Sequence, residues 1–390
     1  MGVKDLIFVN ILVSASRNSQ APYTTAINLK LELSLAFMDI DTKINLIKAP
    51  PLEEVVTEAE LKSVLETEAR PKHYIGYEIS GLLHIGSLLI SGYKLNDFAN
   101  AGIETTVYLA DWHSFINKKL GGDWERIIKA SEYFREAFKF FAPKAKIVLG
   151  SDLYHNNDEY WKDIMRFSSN VTLSRAKRCV TIMGRSESES LDVAQYIYPP
   201  MQAVDVKYLG EDFPHGGMDQ RKVHMLARDV FPKLGWKKPV ALHHHLLAGL
   251  AKPGEVTSGD KLDRVVAAKM SKSKPWTAIF IHDSNEQIKD KLAKAWCPEK
   301  QAEMNPVLEI AKYIIFHERK EFTIDRESKY GGTVTFASYA ELESEYIKGK
   351  IHPQDLKASV AEELGKIIDP IRKHFDSEPM RRLREIFADQ

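Results

Sequence analysis

Two lysines, two serines and a methionine fill the five positions Lys269, Met270, Ser271, Lys272 and Ser273, inside AAKMSKSKPW (267–276). An isolated run of this kind is usually a solvated loop. A second stretch, HIGS (His84, Ile85, Gly86, Ser87), stands about 185 residues earlier, between a strand-like run and a helix-like one. A helix start presents unpaired backbone N–H groups and the positive end of the helix dipole, which favours a phosphate. Gly86 removes a side chain where a nucleotide would approach the backbone, and His84 can donate a hydrogen bond to a phosphate oxygen. A mobile loop with Lys269 and Lys272 can then close over phosphates and strengthen its hold as charge develops on the departing oxygens. Ser271 and Ser273 add hydroxyl donors.

The elements that must position these residues alternate. PKHYIGYEIS (71–80) reads as a strand, GLLHIGSLLISGYKLNDFANAG (81–102) as a helix stopped by Gly102, and ETTVYLADW (104–112) as a second strand. A second helix follows, with Asp123 as its N-cap, and then the strand KAKIVLGS (144–151). Short links between these elements predict an α/β fold with a doubly wound parallel sheet of Rossmann-like type, which binds nucleotides at the carboxyl ends of its strands. QAVDVKYL (202–209) fits a strand or a helix equally; DQRKVHMLARDVF (219–231) reads as a helix and KPVALHHHLL (238–247) as a strand. Beyond about residue 283 helical signals dominate. Ser284 with Gln287 and Ser338 with Glu341 fit capping boxes, and Pro353 suits the first turn of a helix that should end or kink near Pro370.

The HIGS and KMSKS stretches together resemble the two signatures of class I aminoacyl-tRNA synthetases. YIGYEISG (74–81) and YIYPPMQAVDVKYLGEDFPHGGMDQRKVHMLARD (196–229) narrow the resemblance to archaeal and eukaryotic-type tyrosyl-tRNA synthetases, over most of the chain beyond residue 70. The resemblance implies activation of L-tyrosine by ATP, with Mg²⁺ arriving on the nucleotide and no dedicated protein metal site, and then transfer of tyrosine to the 3′-terminal adenosine of tRNA(Tyr). It assigns the tyrosine hydroxyl to Tyr74 and Asp205, and the amino group to Tyr198, Gln202 and Gln220. Gly76, Glu78 and His113 match further pocket positions, while His84, Gly86, Ser87 and Met270 fall to ATP. Ser87 replaces the second histidine of the signature; it can still hydrogen-bond the nucleotide but cannot carry charge. The segment AGLAKPGEVTSGDKLDRVVAA (248–268) before the KMSKS loop is longer than the family leads one to expect.

For the C-terminal part the resemblance implies anticodon reading by Tyr330 in KYGG and by His352, Pro353 and Asp355 in HPQD. An aromatic ring can stack on an unpaired base, and a carboxylate can accept from a guanine edge. Arg221 and Lys222 match positions near the acceptor stem, and Arg175, Lys177 and Arg178 form a basic cluster that suits the same stem or a solvated helix face. The region about 151–200 is where the family pairs as a homodimer. The expected organisation is thus an N-terminal extension over 1–37, a catalytic domain over 38–280 and a helical anticodon-binding domain over 281–390.

Bulk properties exclude some classes. With 54 basic and 54 acidic residues the formal charge is zero, so any surface that binds nucleic acid must be local. Cys179 and Cys297 stand in unlike settings, which suits a reducing cytoplasm and not a disulfide framework. The apolar run 6–16 is short, carries Asn10 and lacks a cleavage site, and no stretch approaches the ~20 apolar residues of a membrane span. Translation starting at Met38 would remove the extension altogether. His243, His244 and His245 invite a metal reading, but no carboxylate or cysteine lies near them in sequence. Three other readings compete with the tyrosine enzyme: the tryptophan enzyme, whose indole offers only a donor to Tyr74 and Asp205; an idle synthetase-like tRNA binder; and a small nucleotidyltransferase.

Overall fold

The structure, a computed structural model, describes residues 38–185, 189–254 and 261–388, with backbone alone for 261–263. The extension 1–37, with its apolar run, lies outside these residues, as does 255–260 of the long segment before KMSKS.

Three elements precede the first strand read from the sequence: α1 (Ile40–Lys48), β1 (Leu52–Val56) and α2 (Glu58–Thr67). In α2 the Thr57 hydroxyl accepts from the Glu60 N–H at 3.3 Å while the Glu60 carboxylate accepts from the Thr57 N–H at 3.0 Å, a reciprocal cap. The alternation then runs as expected through β2 (Lys72–Tyr77), α3 (Ile85–Asn100), β3 (Glu104–Leu109), a short α4 (Asp111–Ile116), α5 (Trp124–Phe141) and β4 (Lys146–Leu149). Asp123 caps α5 by accepting from the Arg126 N–H at 3.1 Å. Helices α6 (Gly150–Tyr154), α7 (Asp158–Ser168), α8 (Leu173–Cys179) and α9 (Val193–Leu209) follow, then β5 (Phe213–Gly217), α10 (Arg221–Val230), β6 (Ala241–His244) and α11 (Lys261–Ala268).

The six strands form one sheet in the order β1-β6-β5-β2-β3-β4. All pairings are parallel except that of β1 with β6, which is antiparallel. The chain winds outward from β2 to β4 and returns to build β5 and β6 on the other side. The switch between β2 and β5 opens a crevice at their carboxyl ends.

QAVDVKYL, open between strand and helix in sequence, is helical as the second half of α9. Met201, Ala203, Val204, Asp205 and Val206 are all buried, so the helix is apolar nearly all round and shows no one-sided stripe. Pro199 and Pro200 sit inside this helix.

Past α11 come α12 (Asn285–Lys294), α13 (Pro306–Ile310) prolonged by a π-helical turn (Ala311–Ile315), a hairpin of β7 (Phe322–Ile324) and β8 (Val334–Phe336), then α14 (Tyr339–Ile347), α15 (Pro353–His374) and α16 (Glu378–Glu385). The Ser284–Gln287 capping box forms. Ser338 caps α14, but the Glu341 carboxylate turns to the Ala337 N–H instead of closing the box. Of the two outcomes expected at Pro370, an end is corrected: α15 continues to His374 with the proline inside it. A proline removes one backbone bond, while the apolar face of α15 is buried on both sides of it, at Ile367, Ile368 and Ile371. One apolar core joins α3 and α5 to α12–α15, so the helical part packs directly on the sheet's helices.

His245, just past β6, locks this packing. Its Nδ1 lies 2.6 Å from Glu53 of β1, its Nε2 lies 3.0 Å from Glu309 of α13, and its ring stacks on Tyr313 at 4.2 Å. Burial opposes charge on the ring, but the two carboxylates override it and lift its pKa to about 9. A raised folded-state pKa gives stability that is complete below the unfolded value near 6.5 and lost as pH rises through about 9. His245→Gln should therefore cost about 1.5–3 kcal/mol near pH 6. The gap in Tm between the two proteins should close above pH 9; a gap independent of pH would refute the charged pairing.

Candidate active site

The two sequence motifs meet through backbone. The Ile85 N–H donates to Ile279 O at 2.9 Å and the Ile281 N–H to Leu83 O at 3.2 Å, so the segment after KMSKS lies antiparallel to the entry of α3. The loop's own start is held by the Met270 N–H on Leu247 O at 2.7 Å and the Gly249 N–H on Ala268 O at 2.8 Å. A cleft of about 830 Å³ opens between the motifs at the switch point of the sheet. His84, Gly86, Ser87, Lys269, Met270, Ser271, Lys272 and Ser273 line one part of it. Tyr74, Gly76, Glu78, His113, Tyr198, Gln202, Asp205 and Gln220 line the rest.

At the nucleotide side, His84 takes the N-cap position of α3 and is half-buried. Burial, with Lys272 and Lys269 nearby, pushes its pKa down to about 3, so the ring is neutral and can still donate through one nitrogen. Its Nδ1 is buried without a partner. A Cβ on Gly86 would stand 3.1 Å from that nitrogen, so the glycine makes room for the histidine ring as well as for a ligand. The Ser87 hydroxyl donates to His84 O at 2.9 Å and accepts from the His84 N–H at 3.0 Å, so it serves the helix cap while it lines the cleft. Lys269 pairs with Asp219 at 2.5 Å. Lys272 donates to Gly81 O at 3.1 Å and Ser80 Oγ at 3.3 Å, with its Nζ 5.0 Å from the centre of the Phe134 ring. Burial, and then Lys119, hold the Lys272 pKa down to about 7; an anionic phosphate beside it would restore the charge.

At the other end stands Asp205, fully buried on α9. Sequence reasoning missed its partners. The Tyr160 hydroxyl donates to it at 2.7 Å and the Tyr154 hydroxyl at 3.0 Å, while the Tyr108 hydroxyl bonds that of Tyr154. Tyr154 spends its proton on the carboxylate, so Tyr108 donates to Tyr154. These tyrosines lie on α6, α7 and β3, and no single periodicity joins them. Burial lifts the Asp205 pKa to about 7 against the pull of the hydroxyls. His113 is neutral, its pKa pushed to about 3 by burial, with Nε2 3.5 Å from Asp205.

Between the two ends, Glu78 accepts from the Tyr198 hydroxyl at 2.9 Å and the Asn117 amide at 2.7 Å, with Lys119 at 3.2 Å. The Gln202 amide donates to Gln220 at 3.0 Å, leaving Gln202 Oε1 buried with no donor. Such an acceptor, in the cleft that Glu78 also lines, suits an ammonium group.

The remaining predicted residues lie elsewhere. Arg221 does not stand free for an acceptor stem: its Nε donates to both oxygens of Glu54, at 3.0 and 2.9 Å. Arg175 pairs with Asp229 at 2.5 Å. Lys222 is half-buried on α10, Tyr330 is exposed, and His352 caps α15 with Pro353 and Asp355 in its first turn. The triple histidine acquires the carboxylates that the sequence did not place near it: Glu54 at 2.8 Å from His243, and Glu53 and Glu309 on His245. Among the described residues no group of three or more His, Cys, Asp or Glu is placed to hold a metal ion.

Tyr154→Phe should free Asp205 to turn and weaken roughly two- to tenfold the hold on a ligand hydroxyl that donates to it, measured as the Kd of a phenol-bearing ligand. That Kd should also fall as pH rises through about 7, since the ionised carboxylate is the better acceptor, and Asp205→Asn should flatten the profile.

Residues 66–369 match the family described as tRNA synthetases class I (W and Y). A tyrosine–tRNA ligase of Thermococcus kodakarensis is 47% identical over 372 residues, covering 90% of this chain and 99% of that protein. The crystal structure of tyrosyl-tRNA synthetase from Pyrococcus horikoshii complexed with L-tyrosine superposes with a TM-score of 0.84 at 44% identity, over 90% of this chain and all of that one. The tyrosyl-tRNA synthetase of Aeropyrum pernix superposes with a TM-score of 0.79 at 41% identity, over the same shares. With the motifs joined at the switch point of the sheet and a match across most of its length, the chain belongs to the class I aminoacyl-tRNA synthetases of the tryptophan and tyrosine family.

Proposed function

We infer that this cleft activates L-tyrosine with ATP and passes it to tRNA(Tyr). The observation that carries this reading is the joining, in one cleft, of a buried carboxylate served by hydroxyl donors, an unpaired amide oxygen, Glu78, and two lysines at a helix start. A tyrosine fits these in order: its phenol donates to Asp205 beside Tyr74, and its ammonium group meets Gln202 Oε1 and Tyr198. Its carboxylate then faces the His84 and KMSKS side. Phenylalanine would bring a bare ring edge against the Asp205 carboxylate and forgo one hydrogen bond to a charged group, worth about 1.5–3 kcal/mol.

In the first step a tyrosine carboxylate oxygen bonds to the α-phosphorus of ATP, and the bond from that phosphorus to the bridging oxygen breaks. The electron pair leaves on pyrophosphate. Lys269 and Lys272 carry the charge that balances it, and Ser271 and Ser273 supply hydroxyl donors to the same oxygens. Release of Lys269 from Asp219 and of Lys272 from Gly81 is part of this step. In the second step a ribose hydroxyl of the terminal adenosine attacks the acyl carbon and AMP leaves. Mg²⁺ enters on the ATP, since the one carboxylate at this side of the cleft, Asp219, is paired with Lys269.

Tyr330, His352, Pro353 and Asp355 serve the anticodon, and Lys222 with Arg221 the acceptor stem, where a phosphate would draw Arg221 from Glu54. Exposed Trp161, Met165, Leu173 and Val193 fall in the segment that pairs two copies, which supports a homodimer. No helix among the described residues is long and apolar enough to cross a membrane.

Amino-acid-dependent ATP–pyrophosphate exchange tests the reading, with tyrosine, phenylalanine and tryptophan compared. Exchange with tyrosine alone is expected, reduced about 10²-fold or more by Lys269→Ala and lost with Asp205→Ala. Exchange with tryptophan would overturn the assignment of Asp205, and no exchange would leave an idle tRNA binder. Asp355→Ala should raise KM for tRNA while leaving exchange unchanged; a drop in exchange would remove it from anticodon reading.

A further inference from the structure

Three buried histidines form an unbroken chain across the sheet. His73 Nε2 on β2 lies 3.0 Å from His215 Nδ1 on β5, and His215 Nε2 lies 2.9 Å from His244 Nδ1 on β6. His73 also stacks on Phe98 at 3.9 Å. His244 lines the cleft. Its Nε2 and an Asp219 oxygen both lie within 3.5 Å of the point where a Cβ on Gly217 would stand, so ring and carboxylate share one corner opened by that glycine.

Burial pushes His73 and His215 well below the usual imidazole range, and His244 down to about 4, so all three are neutral with one N–H each. Two N···N bonds among three neutral rings allow only two arrangements. In one, protons point from His73 toward His244: His73 keeps a bare Nδ1 and His244 shows an Nε2–H to the cleft. In the other every proton is reversed, which buries an N–H at His73 Nδ1 and leaves a bare nitrogen facing the cleft.

The two ends decide between them. His73 Nδ1 is buried with no partner, and an unpaired buried donor is rarer than an under-used acceptor. At the other end an Asp219 oxygen shares the corner of His244 Nε2, and a carboxylate there favours an N–H on that nitrogen over a bare lone pair. Both ends select the first arrangement.

We propose that the chain His73–His215–His244 locks one tautomer of His244 and so presents a fixed Nε2–H donor to an acceptor oxygen of the bound nucleotide, beside Asp219. His244 is then a nucleotide-binding residue, and His215 and His73 are positioning residues that act through it. The inference rests on the ATP site proposed above.

The test is exchange kinetics with ¹⁵N NMR of histidine-labelled protein. His244→Ala should raise KM for ATP roughly two- to tenfold, the scale of one hydrogen bond, and leave KM for tyrosine unchanged. His244→Gln, which keeps an N–H, should restore part of the loss. In the wild type the His244 ring should carry its proton on Nε2; His73→Phe should turn this into a tautomer mixture and raise KM for ATP by a smaller factor. With 2′-deoxy- and 3′-deoxy-ATP, a His244→Ala penalty that vanishes for one of them assigns the acceptor to a ribose oxygen. A penalty kept with both assigns it to a phosphate. A proton on His244 Nδ1, or an unchanged KM for ATP in His244→Ala, would overturn the inference. Failure of the wild type to exchange at all would instead refute the reading of the cleft.

Discussion

Four backbone atoms hold the two halves of the chemistry together. The N–H groups of Ile85 and Ile281 reach across to Ile279 O and Leu83 O, and through these bonds the start of α3 and the segment after the lysine loop become one rigid edge. The positive end of α3 and the ammonium groups of Lys269 and Lys272 therefore face one space. Without that pairing the two motifs would be a capped helix and a solvated loop. The apolar core that runs from α3 and α5 into α12–α15 supports the same edge from behind, and His245, between Glu53 and Glu309, fastens it to the rim of the sheet.

A second constraint follows from placing charge in a dry cleft. Each charged group on the lining has a partner of this chain: Asp205 has two tyrosine hydroxyls, Glu78 has Tyr198, Asn117 and Lys119, and Lys269 has Asp219. Leaving any of them unpaired would cost several kcal/mol. The partners also set chemical character. The tyrosines around Asp205 point their protons inward, so that end of the cleft offers acceptors. The lysines at the far end offer donors. A ligand with a phenol at one end and phosphates at the other meets both.

The signatures and the cleft-lining residues were legible in the sequence because each sits in a short, fixed local context: the YIGYE stretch, the run carrying Tyr198, Gln202 and Asp205, whose helical state was not legible, and a lysine-serine loop. The alternation of strands and helices was legible for the same reason. The antiparallel β1 was not, since a five-residue edge strand carries little periodic signal, and neither was the continuation of α15 through Pro370, which burial on both sides of the proline decides. Ser87 is a case between the two: its place in the motif is local, but only the fold shows that its hydroxyl also closes the helix cap.

The sequence by itself determined which chemical groups are present and how they are grouped along the chain: a helix start with His84 and Gly86, a loop with Lys269 and Lys272, and a run containing Gln202 and Asp205. Tertiary structure alone decided their company. Tyr108, Tyr154 and Tyr160 belong to three elements, and so do His73, His215 and His244, yet each trio forms one hydrogen-bonded group. The physical reason is that hydrogen bonds between side chains from different elements depend on sheet order and helix docking, whereas caps and loop motifs close over a few consecutive residues. The state of a buried proton, on Asp205 or on His244, is set by that long-range company.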